Sequence, residues 1–213
     1  MHATRIVAIR HGETDWNKDT RIQGQQDVPL NEMGRWQAQR VARALARGEP
    51  IAAVYSSDLS RAFDTADAIA RAAGLVVNTE TRLRERGFGH FEGQTFTDLE
   101  NQWPEETARW RQRDPHWMPA GGESLAAVRA RVDDAVAELA AAHLGEQIVL
   151  VAHGGVLDAI YRAATGLDIR AQRSWTLPNA VINRLLWTPD AMTVVGWADM
   201  AHLDDAWTDE TTL

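Results

Sequence analysis

The sequence of 213 residues contains no cysteine. This absence excludes disulfide frameworks, zinc–thiolate sites and thiol nucleophiles. No apolar run is long enough to cross a bilayer, and the first residues, MHATRIVAIR, lack the longer apolar stretch and small-residue cleavage site of a signal peptide. The sequence therefore predicts a cytoplasmic protein with no membrane partner.

Positive charge is also scarce in this sequence. Lys and Arg together number 22 against 30 Asp and Glu, which gives a formal net charge of −8. Because nucleic-acid binding favours a basic face, we expect no nucleic-acid partner. A site for phosphate must then be a local cluster of cations.

Short apolar runs alternate with amphipathic segments along the chain. Branched apolar runs at 4–10, 51–55 and 147–152 are typical of strands covered on both faces. Two later runs, 181–187 and 193–197, indicate a hairpin at the sheet edge. The pattern predicts an α/β fold: a three-layer sandwich with a mostly parallel, mixed central sheet and helices on both faces. Helical spacing is seen in Met33, Trp36, Val41 and Leu45, and in Leu59, Ala62, Phe63, Ala66 and Ile69.

The domain organisation follows from length and composition. With 45% hydrophobic residues, the chain can bury one full core. We expect a single domain over residues 1–213, in which residues 86–122, rich in Gly, Pro and Trp, form a loop-and-helix excursion over one end of the sheet. The oligomeric state, including a homo-oligomer, is left open by the sequence.

Two of the predicted strands end in a histidine followed by a glycine. These are His11–Gly12 in IVAIRHGETDWN and His153–Gly154 in IVLVAHGGVLDAI. Ligands of open α/β sheets bind beyond the carboxyl ends of the strands. The two glycines have no Cβ and would let backbone N–H groups approach an anion, while Gly154 also begins a helix whose N-terminus is partly positive. The pattern predicts an oxyanion site.

A third strand end supports this prediction. The run ending at Tyr55 leads into SSDLSRAFDTA, where Ser57 is a candidate helix N-cap and Arg61 falls in the first helical turn. The planar guanidinium groups of Arg10 and Arg61 suit bidentate contact with phosphate oxygens. Each residue alone is more often structural or solvated, but their joint occurrence at three matching strand ends favours a phosphate site.

Six motifs then follow one another in the order typical of the histidine phosphatase superfamily: RHGETDWN, RIQGQQDVPLNEMG, YSSDLSRAFDTA, LRERGFGHFEG, GGESL and VAHGG. In these motifs, from about residue 4 to PNA at 178–180, the chain resembles the phosphoglycerate-mutase-like branch. The resemblance implies phosphoryl transfer on a small phosphorylated metabolite, with no metal ion.

The resemblance also implies a role for each matching residue. His11 would attack phosphorus as a neutral imidazole and form a phosphohistidine. Arg10, Arg61 and a protonated His153 would hold the equatorial oxygens. Glu85, which without its motif would be taken for a solvated residue, would serve as acid and then as base. Further positions that match phosphate or substrate contacts are Asn17, Gln23 and Gly24.

The fate of the phosphohistidine separates two candidate activities. Resembling glycolytic mutases have a longer insertion, with basic residues and a tyrosine that grip the substrate carboxylate and shield the intermediate. This chain has a shorter segment without lysine or tyrosine between FEG and GGES. We therefore expect a phosphomonoesterase. A mutase primed by 2,3-bisphosphoglycerate is the alternative, and only in that case would this compound be a cofactor.

Two other classes rank lower. A metal-dependent hydrolase needs clustered ligands, yet the seven histidines are scattered and no HExxH pattern exists. A non-catalytic phospho-ligand binding protein would keep the arginines and tolerate loss of His11 or Glu85, both of which are present.

Three tryptophans, Trp103, Trp110 and Trp117, are spaced seven residues apart, near two helical turns. They could form one packing face, which is the favoured interpretation, or an aromatic wall for the substrate. The nearby arginines could contact a second anionic group, although a solvated face is the simpler interpretation; they are Arg109, Arg111 and Arg113.

Overall fold

The computed structural model describes residues 2–204 of the chain. Its strands are β1 (Thr4–Arg10), β2 (Ala53–Ser56), β3 (Val77–Thr79), β4 (Gln147–Ala152), β5 (Ile182–Trp187) and β6 (Met192–Asp199). They form one sheet in the order β3-β2-β4-β1-β5-β6. The pairs β3–β2, β2–β4 and β4–β1 are parallel, and β1–β5 and β5–β6 are antiparallel. The predicted mixed sheet with an edge hairpin is confirmed.

Helices flank this sheet. They are α1 (Asp15–Lys18), α2 (Glu32–Ala46), α3 (Ser60–Ala73), α4 (Phe96–Gln102), α5 (Pro104–Arg111), α6 (Leu125–Ala141), α7 (Gly154–Thr165) and α8 (Ala201–Asp204), with 3₁₀ turns at Thr81–Leu83 and Gly89–Phe91. Within residues 2–204, no helix is both long and apolar enough to cross a bilayer.

The central strands are apolar on both faces, and each face has its own core. Ile148 and Leu150 of β4 pack among residues of α6 and α7. Their neighbours Val149 and Val151 point to the other face and pack among residues of α2 and α3. Because successive side chains of β4 point to opposite faces of the sheet, the strand contributes to both cores, and the fold is the predicted three-layer sandwich.

Some local predictions were wrong. The sequence does not predict strand β3. This strand has only three residues, VNT, and lies at the sheet edge, where its side chains are largely exposed and leave no apolar run to recognise. Phe63 is 37% exposed, so it is outside the buried face of α3. Helix α2 also buries small residues that the pattern omitted, and its buried set is Gly34, Ala38, Val41, Ala42 and Leu45.

The excursion at 86–122 contains the second 3₁₀ turn, α4 and α5. Its core is Phe91, whose ring centroid lies 5.9, 5.8 and 6.2 Å from those of Trp103, Trp110 and Trp117. The packing interpretation of the tryptophans is therefore confirmed. Trp117 lies beyond the end of α5, so the tryptophans converge on Phe91 from helix and loop and form no single helical stripe. That residues 1–213 form one domain stays a prediction.

Candidate active site

Parallel pairing brings three strand ends to one edge of the sheet. His11 follows β1, and His153 follows β4 as the N-cap of α7. Their ring centroids are 5.1 Å apart. Beyond β2, Arg61 lies in the first turn of α3, as the sequence predicted, although the N-cap is Leu59 instead of Ser57.

A cavity of about 730 Å³ opens at this edge. Eight of the ten residues predicted for the site line it: Arg10, His11, Asn17, Gln23, Gly24, Arg61, Glu85 and Gly154. His153 is fully buried and packs against the His11 ring instead. Gly12 is buried as well and contributes no wall to the cavity.

The tautomer of His11 is set by its own loop. Nδ1 lies 2.7 Å from the carbonyl oxygen of Gly12, and the side chain is only 3% exposed. Because a carbonyl only accepts, Nδ1 must carry the proton in this hydrogen bond. Burial lowers the pKa of His11 well below 6.5, and Arg61 and Arg10 lower it further. The ring is therefore neutral near pH 7, with its lone pair on Nε2.

The protonation of His153 that is expected during phosphoryl transfer stays a prediction, because burial works against it in the free protein. Burial lowers the pKa of His153 well below 6.5, and Arg61, His11 and Arg10 act in the same direction. Neither ring nitrogen has a hydrogen-bond partner among residues 2–204. A phosphoryl dianion beside the ring would raise this pKa, so protonation of His153 would be coupled to anion binding.

Two arginines bring positive charge to the cavity. Arg61 is fully buried, and it donates from Nη1 to the Gln26 carbonyl (2.7 Å) and from Nη2 to the Gly24 carbonyl (2.8 Å). Burial lowers the pKa of Arg61 to about 10, which still leaves it charged at neutral pH. Arg10 donates to the Leu177 carbonyl. In the described part of the chain, the Nε of each arginine has no partner.

Glu85 is held by the N-terminus of α7. The backbone N–H of Gly155 donates to Oε1 and Oε2 at 3.0 and 3.1 Å. A Cβ added to Gly155 would lie 2.3 Å from Oε1, so a side chain at this position would push the Glu85 carboxylate out of its place. The carboxylate also interacts favourably with Arg10 and Arg61 and raises the pKa of each. Sequence analysis missed Gly155, whose only signal was the second glycine of VAHGG.

The amides of Asn17 and Gln23 are oriented by Thr14. Asn17 Oδ1 accepts from the Thr14 backbone N–H (3.1 Å) and from Asn179 Nδ2 (3.0 Å). Gln23 Oε1 accepts from Thr14 Oγ1 (3.0 Å). Since both amide oxygens are engaged, each residue has an NH₂ group to offer to an anion in the cavity.

Gly12 was expected to offer its backbone N–H to an anion, but in the structure it packs against neighbouring helices. Its N–H donates to Thr65 Oγ1 at 3.0 Å and does not face the cavity. An added Cβ would lie 2.4 Å from the carbonyl oxygen of Gly34, because α2 crosses closely there. Glycine at this position therefore permits helix packing.

The outer cavity contains functional candidates that sequence analysis missed or set aside. Arg86 is 3% exposed, donates to the Glu123 carbonyl (2.8 Å) and has a pKa lowered by burial to about 10. Phe96 and Trp110, stacked with ring centroids 5.0 Å apart, also line the cavity. Trp110 therefore lies where the alternative interpretation, an aromatic wall, requires it, besides packing on Phe91. The other arginines of this region are Arg21, Arg111, Arg113 and Arg173. Only the neighbouring Glu85 motif pointed to Arg86.

Metal-ligating side chains are not clustered in the part of the chain that the structure describes. No three His, Asp or Glu residues there are arranged to hold a metal ion. Positive charge for an anion would come from guanidinium groups, and from His153 if anion binding protonates it.

Comparisons with known proteins agree with this geometry. The model of the histidine phosphatase superfamily (branch 1) matches residues 6–200. Phosphoglycerate mutase-like protein 4 of Arabidopsis thaliana is 40% identical over 203 residues, covering 94% of this chain and 87% of the relative. A metal-independent phosphoserine phosphatase of the same plant is 39% identical over 202 residues, covering 94% and 83%. The structure of a mycobacterial glucosyl-3-phosphoglycerate phosphatase complexed with VO3 superposes with a TM-score of 0.82 at 37% identity, covering 91% of this chain and 98% of that one.

The two buried histidines predict a defined response to pH. We expect the rings of His11 and His153 to titrate well below pH 6.5 in the free protein. Below that pH the unfolded chain binds the protons first, so the free energy of unfolding should fall as pH decreases, by up to about 1.4 kcal/mol per pH unit for each ring. Two-dimensional ¹H–¹⁵N NMR of the imidazoles would measure both pKa values. Titration of either ring at or above pH 6.5 would contradict the assignment, and added orthovanadate should raise the pKa of His153.

The contact between Gly155 and Glu85 predicts the effect of one methyl group. Gly155→Ala should displace the carboxylate and lower kcat for phosphomonoesters by about 10²-fold or more, in the range given by loss of a general acid. Gly196→Ala is the matched control, because an added Cβ there meets no atom within 4 Å. Steady-state kinetics on both variants would measure the difference in kcat. Equal kcat values for the two variants would refute the proposal that Gly155 positions the Glu85 carboxylate.

Proposed function

The chain belongs to the histidine phosphatase superfamily, branch 1, and we propose that it hydrolyses small phosphomonoesters by way of a phosphohistidine on His11. The observation that carries the proposal is the neutral His11, with its proton on Nδ1, in the wall of a cavity shared with Arg10, Arg61 and Glu85. The relatives named as phosphatases support the reaction class.

The first step transfers the phosphoryl group to the protein. Nε2 of His11 attacks phosphorus, the N–P bond forms and the ester P–O bond breaks. Glu85 enters this step as the carboxylic acid, donates its proton to the leaving alkoxide and becomes a carboxylate. Charge on the phosphoryl oxygens is stabilised by Arg10, Arg61 and the imidazole of His153.

The second step returns the phosphoryl group to water. The Glu85 carboxylate accepts a proton from the attacking water, the N–P bond breaks and phosphate leaves. The N–H of Gly155 keeps the carboxyl group in one place for both steps. Since guanidinium groups supply the positive charge, the mechanism requires neither a metal ion nor another cofactor.

A mutase is the second candidate, and the mutase-like relative favours it. Hydrolysis ranks first because the segment that covers the cavity is short and because two of the relatives are named as phosphatases. The cytoplasmic location and the oligomeric state stay predictions.

The test of this function is phosphate release from a panel of phosphomonoesters. His11→Ala should lower turnover by at least about a thousandfold, as expected for a lost nucleophile, and Glu85→Gln by about 10²–10⁴-fold. His116→Ala, at an exposed histidine outside the cavity, should match the wild type. EDTA should have no effect. Fast mutase turnover with 2,3-bisphosphoglycerate and negligible phosphate release would overturn hydrolysis as the main activity.

We also propose that the substrate has a second anionic group, a carboxylate. Arg86 is buried in the cavity wall and makes no direct ion pair with a carboxylate of residues 2–204, although the charges of Glu85 and Glu123 raise its pKa. A carboxylate of the substrate would give this buried cation a direct partner. Arg173 is close enough to Arg10 and Arg113 to lower the pKa of each. The substrates named for two relatives, phosphoserine and glucosyl-3-phosphoglycerate, both have a carboxylate besides the phosphate.

Arg173 offers the cleanest test of this second group because it is exposed and its loss should leave the fold intact. Arg173→Gln should lower kcat/KM for 3-phosphoglycerate about tenfold, the effect of one lost hydrogen bond to a charged group. Propyl phosphate, which has no carboxylate, should be hydrolysed as before. The exposed neighbour Arg170 is the control position, and its glutamine variant should match the wild type on both esters. Equal losses on the two esters in Arg173→Gln would contradict the proposal.

A further inference from the structure

The loop that carries Glu85 is held by one arginine of helix α6. Arg131 donates from Nη1 to the Arg82 and Arg84 carbonyls at 2.6 and 2.8 Å, and from Nη2 to the Glu85 carbonyl at 3.1 Å. Arg131 is not part of the cavity lining. Its effect on a substrate must therefore pass through the groups that it holds.

The same guanidinium group makes a bidentate ion pair with Glu123. Arg131 Nε lies 2.9 Å from Glu123 Oε1, and Nη2 lies 3.0 Å from Oε2. Glu123 Oε2 also accepts from the Gly87 backbone N–H at 2.8 Å, and Gln25 Nε2 donates to the Glu85 carbonyl at 3.1 Å. Burial raises the pKa of Glu123, but the hydrogen bonds from Arg131 and Gly87 outweigh this effect and bring the pKa below its usual value. The ion pair therefore holds the loop on both sides of Glu85.

The position of the Glu85 backbone determines where its carboxyl group can reach. Oε1 accepts from the backbone N–H groups of Gly155 at 3.0 Å and Arg86 at 2.8 Å. A general acid must stay within hydrogen-bond reach of the leaving oxygen, and a misplacement of about 1 Å can lower a rate about 10²-fold. A direct ion pair favours the charged form of a carboxyl group and would oppose release of its proton. Arg131 avoids this effect because it binds the Glu85 carbonyl instead of the carboxylate.

We propose that Arg131, with its ion-pair partner Glu123, is a positioning residue that keeps the Glu85 carboxyl group in place for both proton transfers. The inference rests on the proposed function and deepens it by adding a residue that lies outside the cavity lining. Loss of Arg131 should impair the proton transfers and spare a phosphoryl transfer that needs no proton.

Two esters with different leaving groups separate these effects. Propyl phosphate releases an alkoxide, which needs the Glu85 proton, whereas p-nitrophenyl phosphate releases a phenolate that is stable without one. The rate of ester loss is measured in single turnover with saturating enzyme, so that hydrolysis of the phosphohistidine does not contribute. The ratio of the two rates within one sample does not depend on how much of the protein is folded.

The variant Arg131→Gln should lower transfer from propyl phosphate about 10²-fold and transfer from p-nitrophenyl phosphate by less than about threefold. Arg129→Gln is the matched control, because Arg129 is another partly buried arginine of α6 and pairs with Asp133 of the same helix. Its ratio should equal that of the wild type. Glu123→Gln is the second variant in case Arg131→Gln does not fold, and it should shift the ratio in the same direction about tenfold.

The return of the phosphoryl group to water gives a second readout. The Glu85 carboxylate must accept a proton from water whichever ester was used. With p-nitrophenyl phosphate, Arg131→Gln should form the phosphohistidine at nearly the wild-type rate and hydrolyse it about 10²-fold more slowly. A burst of p-nitrophenolate close to one per site should result, whereas a loss of folded protein alone would reduce the size of the burst.

A double variant tests whether Arg131 acts through Glu85. In Glu85→Gln the proton is already lost, so the ratio of propyl phosphate to p-nitrophenyl phosphate should be low. Adding Arg131→Gln should then change this ratio by no more than about twofold, because the two residues act as one unit.

Three results would overturn the assignment. The first is an equal loss of rate on both esters in Arg131→Gln, and the second is a shift of the ratio in Arg129→Gln as large as that in Arg131→Gln. The third is the full effect of Arg131→Gln in the Glu85→Gln background. Failure of the wild type to cleave either ester is a different pattern, and it would refute the proposed function and the assignment with it.

Discussion

The hydrogen bond from His11 Nδ1 to the Gly12 carbonyl is the contact on which the chemistry of this site depends. It leaves the lone pair of the neutral ring on Nε2. The loop that contains this hydrogen bond is held at two points. The Gly12 N–H donates to Thr65 Oγ1 in α3, and the His11 N–H donates to the Ala152 carbonyl in β4. The sheet thus determines the nucleophilic atom as well as its position.

Positive charge around that ring comes from two arginines that make no direct ion pair with a carboxylate among residues 2–204. Arg10 and Arg61 are anchored by backbone carbonyls, which fix the guanidinium groups and leave most of their charge for a ligand. Glu85 is an acidic group close to both arginines, and the backbone N–H groups of Gly155 and Arg86 orient it. Burial of the two imidazole rings, and then the charges of Arg61 and Arg10, lower the pKa of both histidines, so an entering phosphoryl group would favour protonation of His153.

Sequence patterns predicted the features that depend on neighbouring residues. The strand ends at His11 and His153 are local signals, and parallel pairing brought them together as expected. Features that join distant segments had no such signal. The Gly155–Glu85 contact spans 70 positions, and the buried place of Arg86 in an irregular loop has no periodicity to reveal it. The sequence associates the Gly12 N–H with phosphate because no local pattern shows that this N–H donates to Thr65 in the distant helix α3.

The most direct test of the account is the linkage isomer of the phosphorylated enzyme. Protein quenched in alkali during turnover would be examined by ³¹P and ¹⁵N NMR, and the modified residue located by peptide mapping. The phosphoryl group is expected on Nε2 of His11, because Nδ1 donates to the Gly12 carbonyl. A phosphoryl group on Nδ1, on another residue, or no phosphorylated protein at all would contradict it.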